Sequence, residues 1–488
     1  MCLGNFVRSI QNTMRGDSGI NGDAQRIEQM TWILFLKIYD KQEETWEVEE
    51  DNYKSIIPEN LRWRNWAIDD KDGKNLTGDN LLKFVNEKLF PQLKALPIKE
   101  NTPIKKSIVQ LVFQDTNQYM KDGILLRELI NKINEIKFDT LDEIHAIGEI
   151  YENILKSLQS AGNAGEFYTP RAATDFIIDR IKPKIGEVVA DFACGTGGFL
   201  TSNLNALEKQ IKTAEDRMLF NQSVYGIEKK PLPYLLAITN MLLHGIDTPN
   251  IFHGNSLERD IKSYKENEKF SVIVMNPPYG GTENDNIKKN FPADLKSSET
   301  ADLFIALMIY RLKQGGRAAV IIPDGFLFGT DGAKLALKKK LVTELNLHTI
   351  IRLPASVFAP YTSITTNILF FDKTKTTEKI WFYRVDMPNG YKHFSKTKPM
   401  KLEHFADCQE WWDNRRVITD DTGNFKAKDF SAAEIADRNF DLDLCGYPSE
   451  DVEILSPADT IREFKEKRNL LNSKIDKRLE KISALLGV

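Results

Sequence analysis

The run Val188-Val189-Ala190-Asp191-Phe192-Ala193-Cys194-Gly195-Thr196-Gly197-Gly198-Phe199 decides the fold. An apolar stretch that ends on an acid and passes into a glycine-rich turn reads as a buried strand, a tight bend and the start of a helix. Glycines at that bend let a ligand approach the backbone at the carboxyl end of the first strand, where open α/β sheets bind nucleotide-like molecules. The sixth position counted from Gly195 is Leu200, a departure from the dinucleotide fingerprint. Working outward, short strand-like runs at 187–191, 223–227, 271–275, 317–322, 349–353 and 367–371 alternate with helical stretches. That alternation predicts a mostly parallel sheet flanked by helices.

Upstream the texture differs. Ile27, Met30, Ile33, Leu34 and Ile38 recur at helical spacing with few alternating β-branched runs, so residues 1–160 read as a helical N-terminal domain. The α/β region is expected at 161–400, with its sheet ending near 371, and a mixed tail at 401–488. The tail closes on a helix carrying Ile461, Phe464, Leu471, Ile475, Ile482 and Leu485, a heptad-like seam broken by Arg468 and Arg478. Such a seam suits packing on another protein's helix, or on the rest of this chain, better than a self-paired coiled coil.

Composition narrows the class. The chain has 488 residues, 41% hydrophobic and 28% charged, within the ordinary globular range. The apolar run from Trp32 to Tyr39 is interrupted by Lys37 and falls far short of the ~20 residues of a membrane span, so it reads as a buried helix. Cys2, Cys194, Cys408 and Cys445 lie far apart, which argues against a disulfide framework and a zinc site and fits a reducing cytoplasm. No metal is expected. A net charge of -4 argues against a chain that grips nucleic acid unaided over a broad surface. The small clusters Lys288-Lys289 and Lys338 to Lys340 are expected to be solvated helix faces or loops.

Two features carry chemistry. Glu228 ends the next strand, where an acid can accept hydrogen bonds from both ribose hydroxyls, so an adenosine-containing ligand is expected, with NAD and S-adenosylmethionine both open at this point. Asn276-Pro277-Pro278-Tyr279 follows the buried strand at 271–275. Two prolines stiffen that turn, holding the Asn276 side-chain oxygen and the Pro277 carbonyl where both accept from one planar amino group. Drawing on its hydrogens favours a pyramidal, electron-rich nitrogen that can attack a sulfonium methyl. Tyr279 offers an aromatic face to a base flipped out of the duplex.

These residues resemble the amino-group DNA methyltransferases, and flanking segments narrow the resemblance to the modification subunit of type I restriction–modification systems, of the gamma class that methylates N6 of adenine. Gly165-Glu166-Phe167-Tyr168-Thr169-Pro170-Arg171 is similar to that family's cofactor-contacting segment, and the match reaches the helical stretch 27–37. The resemblance implies a Rossmann-like S-adenosylmethionine-dependent methyltransferase sheet with a helical N-terminal domain and a C-terminal helical tail. It implies that Asn276, Pro277, Pro278 and Tyr279 are catalytic, and that Glu166, Phe167, Tyr168, Thr169, Asp191, Gly195, Thr196, Gly197, Gly198, Glu228, Asn255 and Ser256 bind the cofactor. Phe304, in Asp302-Leu303-Phe304, would pack near it or be plain core.

The resemblance further implies DNA as substrate, a separate specificity subunit docked on the last helix, and an ATP-dependent restriction subunit. That translocase is not this chain, because no GxxxxGK[ST] loop is present and the pair Gly73-Lys74 is followed by Asn75. Too few residues follow the expected sheet for a target-recognition domain, so sequence reading is expected to be delegated. A protein glutamine methyltransferase, an RNA amino-methyltransferase and a non-catalytic scaffold stay open as alternatives.

Overall fold

Strand β1 (Val189–Asp191) is buried along its length, and the bend after it takes the form the glycines permit. Gly195 and Gly197 have φ of 53° and 80°, the left-handed region that strains a side chain, and Gly197 leads into the helix Gly198–Glu208. The computed structural model describes residues 3–68, 75–99, 101–137, 141–158, 168–421, 423–446 and 456–486. They fall into two units, Met1–Gly446 and Tyr447–Val488.

In the first unit β1 is joined by β2 (Val224–Glu228), β3 (Ile251–His253), β4 (Phe270–Met275), β5 (Leu312–Pro323), β6 (Asn346–Arg352), β7 (Thr366–Asp372), β8 (Lys379–Arg384), β9 (Ile418–Thr419) and β10 (Phe425–Ser431). They form one sheet in the order β3-β2-β1-β4-β5-β7-β6-β8-β10-β9. Pairing is parallel from β3 to β5 and between β6 and β8, while β7 runs against both its neighbours. All six expected strands are present. The sheet does not end near 371, however: β8 and the antiparallel pair β9 and β10 carry it on to Ser431.

Side chains alternate between the two faces, as a pleated strand requires. Val272 and Val274 of β4 join the cluster under the helix Arg171–Ile181, whereas Ile273 and Met275 join the one under the helix Thr300–Arg311. Burial on both faces explains why β4 reads as a continuous apolar run. Truncating a side chain there, as in Ile273→Ala, costs about 2–5 kcal/mol.

The helical region before the sheet is built around the helix Asp23–Glu49, on which Ile27, Met30, Ile33, Leu34 and Ile38 are all buried. It packs against Pro231–Leu243, a helix of the sheet's own flank, and Tyr151 donates to the Leu236 carbonyl at 3.0 Å. Helices and sheet therefore share one core. Lys338 is not solvated as expected: it is 1% exposed and donates to the carbonyls of Leu327 and Gly329. Lys288, by contrast, stays at the surface beside Asp285.

The second unit is described from Ser456 and holds the helix Pro457–Leu486, on which Ile461, Phe464, Leu471, Ile475, Ile482 and Leu485 are exposed. Among the described residues no helix is long and apolar enough to cross a membrane.

Candidate active site

The carboxyl ends of β1, β2 and β4 open onto a cavity of about 260 Å³. At one end Glu228, the last residue of β2, accepts from the Gly195 N–H at 2.9 Å and from the Lys230 N–H at 2.7 Å. The acid thus ties the glycine turn to its own strand. Asp191 caps β1 and accepts from the Ala193 N–H at 3.0 Å. Burial pushes its carboxyl up to about 8, opposed by that N–H and reinforced by the negative charge of Glu228. Across the cavity Ser256 donates to the Phe192 carbonyl at 2.5 Å, and the Asn255 side chain accepts from Leu257 N–H at 3.1 Å.

The other end is made by the turn after β4. Asn276 donates through Nδ2 to the Thr169 hydroxyl at 3.0 Å, and the Tyr279 hydroxyl donates to Asn276 Oδ1. The amide is therefore oriented, nitrogen toward Thr169 and oxygen toward Tyr279. The Tyr279 ring meets Phe358 edge-on, with centroids 6.2 Å apart.

A lattice of buried charge supports the segment after the turn. Gly281 and Thr282 line the cavity; the Gly281 carbonyl accepts from Thr300 N–H at 2.9 Å, and Thr282 bridges to Glu299. Lys334, 5% exposed at its side chain, pairs with Glu299 at 2.7 Å and Asp302 at 3.0 Å, and Ser297 donates to Asp302 at 2.6 Å. Removing Lys334 would leave Asp302, 1% exposed at its side chain, charged and buried, at about 3–5 kcal/mol.

Of the residues singled out from sequence, Thr169, Asp191, Gly195, Gly198, Glu228, Asn255, Ser256, Asn276 and Pro278 line this one cavity, as does Phe304. Thr196, Gly197, Pro277 and Tyr168 do not line it. Thr196 and Gly197 shape the turn, with Asn240 donating to the Thr196 carbonyl at 3.0 Å, while Pro277 and Tyr168 are buried. Tyr279 packs beside the cavity. Glu166 and Phe167 lie outside the described residues. Gly198 has a second reason to be glycine, since a Cβ there would lie 2.7 Å from Nη1 of Arg171, which is paired with Glu152.

Sequence reasoning missed Lys229, Lys230 and Thr300, which also line the cavity, and Phe358. The lysines follow Glu228 directly and were legible as the rim of that strand end. Phe358 carries no local signal, because its role comes from a contact with a turn distant in sequence.

Residues 142–453 match the family described as N-6 DNA Methylase, and residues 3–133 match the HsdM N-terminal domain. The type I restriction enzyme EcoEI methylase subunit of Escherichia coli is 51% identical over 91% of this chain and 90% of its own. A crystal structure of a modification subunit assigned to a type I restriction enzyme of Vibrio vulnificus YJ016 is 39% identical, with a TM-score of 0.77, over 93% of this chain and 98% of that one. A further solved chain, from the assembly and conformational transition of the type I R-M system, is 32% identical with a TM-score of 0.82, covering 99% and 98%.

Proposed function

The chain belongs to the N-6 DNA methylase family as a methylase subunit of the type I restriction enzymes, and from that premise we propose how its site moves a methyl group to N6 of adenine. A DNA methylase needs a methyl donor, and the chemistry of this cavity fits S-adenosylmethionine. Glu228 stands at the strand end where a ribose would lie, and the glycine turn leaves room for close backbone approach. The buried acid Asp191 suits a ligand that brings positive charge. Bound there, the donor supplies an electrophilic sulfonium methyl.

The residues of the turn do the rest. Asn276 Oδ1 and the Pro277 carbonyl accept the two hydrogens of the target amine, drawing its lone pair out of conjugation and aiming it into the cavity. Thr169 holds the Asn276 amide with its oxygen outward. Tyr279, with Phe358 at its edge, stacks on the flipped base, a contact worth about 1–3 kcal/mol. No strong base is needed first, because the nitrogen becomes cationic on methylation and then sheds its proton. One observation carries this reading: Asn276, suited to a planar amine, and Glu228, suited to a ribose, line the same cavity.

The wider assignment rests on the same relatives. The chain acts on DNA with a specificity subunit, which seats on the exposed apolar seam of the helix Pro457–Leu486, and with a restriction subunit, in the cytoplasm. Its parts divide the work: helices to about 160 buttress the sheet, the α/β region catalyses, and the tail docks.

The test is transfer of a labelled methyl from S-adenosylmethionine to unmodified DNA, with products digested to nucleosides, for the chain alone and with a specificity subunit. Labelled N6-methyladenine only in the presence of the partner is the expected result. Label on cytosine, or on protein, would overturn the reading.

A further inference from the structure

The segment 387–402, which leaves the carboxyl end of β8, contains no acid but carries Lys392, His393, Lys396, Lys398 and Lys401, all exposed. In a chain of net charge -4 this is a local concentration of positive charge, bounded by Asp386 before it and Glu403 after it. Lys334, Lys340 and Lys426, by contrast, are paired with carboxylates. Among the described residues Lys392, Lys398 and Lys401 form no ion pair; Lys398 lies over the ring of Tyr391 at 5.3 Å. The acid just before the segment, Asp386, is already held by Arg384 at 2.6 Å and Lys426 at 3.6 Å.

The segment is also built to be stiff. Ser395 and Lys398 exchange backbone hydrogen bonds at 3.0 and 3.1 Å, closing a tight turn with Lys396 and Thr397 at its tip. Beneath it Phe394, 1% exposed, stacks on His404 with centroids 5.5 Å apart, and Tyr391 meets the same imidazole edge-on at 5.6 Å. Charge stands on an aromatic footing.

Its position ties it to the target end of the cavity. The Phe394 N–H donates to the Ser356 hydroxyl at 2.8 Å. Ser356 itself sits at φ 69°, a left-handed conformation that a serine adopts only where its surroundings impose it. Two residues on is Phe358, the neighbour of Tyr279. Strand pairing agrees, because β8 is parallel to β6, and the reversals at β7 cancel, so β8 and β4 deliver their carboxyl ends to the same edge of the sheet.

We infer that this rim is a phosphate-gripping surface that holds the DNA backbone beside the flipped adenine; the inference rests on the reading of the site given above. Ammonium groups on a stiff turn, tied through Ser356 and Phe358 to Tyr279, fit a polyanion whose charges are closely spaced along the helix axis. An acidic protein surface would also be attracted, but it would have no reason to lie against the wall that carries Phe358 and Tyr279.

The test uses the modification complex carrying Lys392→Gln, Lys398→Gln and Lys401→Gln together, and the matching Lys→Arg triple. DNA affinity is titrated across salt concentrations, cofactor affinity is measured, and kcat is separated from KM. The Gln triple should raise KM for DNA roughly tenfold with kcat and cofactor affinity unchanged. It should also reduce the salt slope of binding by about 2–3, while the Arg triple stays close to wild type. An unchanged affinity and slope in the Gln triple would overturn the inference, as would loss of the specificity subunit in place of loss of DNA. Because binding is read apart from methyl transfer, a wild-type complex that binds through this rim yet makes no N6-methyladenine would sink the functional reading and leave the rim standing.

Discussion

The two ends of the cavity are built differently. Around Glu228 the contacts are to backbone: Gly195 and Lys230 N–H groups on the carboxylate, the Ala193 N–H on Asp191, the Phe192 carbonyl under Ser256. Around Asn276 they are between side chains, Thr169 on one side and Tyr279 on the other. Backbone is fixed by the fold, so the cofactor end stands ready before any ligand arrives. Side chains can exchange partners, and Asn276 Oδ1, with two lone pairs, can accept from an amine beside or in place of the Tyr279 hydroxyl.

The contrast can be broken at several points. The largest effect belongs to Asn276→Ala, which should lower kcat by roughly 1,000-fold, in the range lost with an oriented acceptor or donor at a reacting centre, while cofactor affinity by calorimetry stays within about twofold. Equal losses of both would merge the two ends into one. Glu228→Ala should do the reverse, weakening cofactor binding by about 10–100-fold, as expected for charge-assisted hydrogen bonds of about 1.5–3 kcal/mol. Tyr279→Ala should raise KM for DNA by roughly tenfold through lost stacking, with cofactor affinity untouched.

Thr169→Val sharpens the comparison further, because Thr169 lines the cavity and also holds Asn276. A drop of about 5–10-fold in kcat with unchanged cofactor affinity assigns it to the target end, at the usual ~1 kcal/mol of a hydrogen bond; a drop in cofactor affinity alone assigns it to the other.

The last effect concerns acidity and is read on stability, not on turnover. Asp191 is held at about 8 when folded against 3.8 as a free side chain, so the native state keeps its proton longer. Its contribution to stability is full below about pH 4 and is lost as pH rises through 8. Melting temperature should therefore fall less between pH 5 and 9 in Asp191→Asn than in wild type.

How much of this could be read from sequence follows from the range of each signal. The strand at 271–275 is apolar on both faces and announces itself; the glycine bend and the Asn-Pro-Pro-Tyr turn are contiguous motifs. The strand β3 has three residues, one of them the exposed Phe252, too short for a pattern. Next to the far edge, β10 mixes Lys426, Lys428 and Asp429 with Phe425 and Phe430, without a clean alternation, and falls within the stretch that reads as a mixed tail. Pairings such as Phe358 with Tyr279 and Phe394 with Ser356 are long-range contacts that no window along the chain contains.

The reversed strand β7 has one more consequence. Inserted between β5 and β6, it lets the sheet double back and still present β8 in the orientation of β4. The rim loop thus hangs from a different strand than the Asn276 turn and meets it through Phe394, Ser356 and Phe358, so its exposed lysines can change while those buried contacts stay. On the proposed reading, grip on the backbone and transfer chemistry belong to separate strands, and the strength of one can be tuned by surface charge while the other is kept.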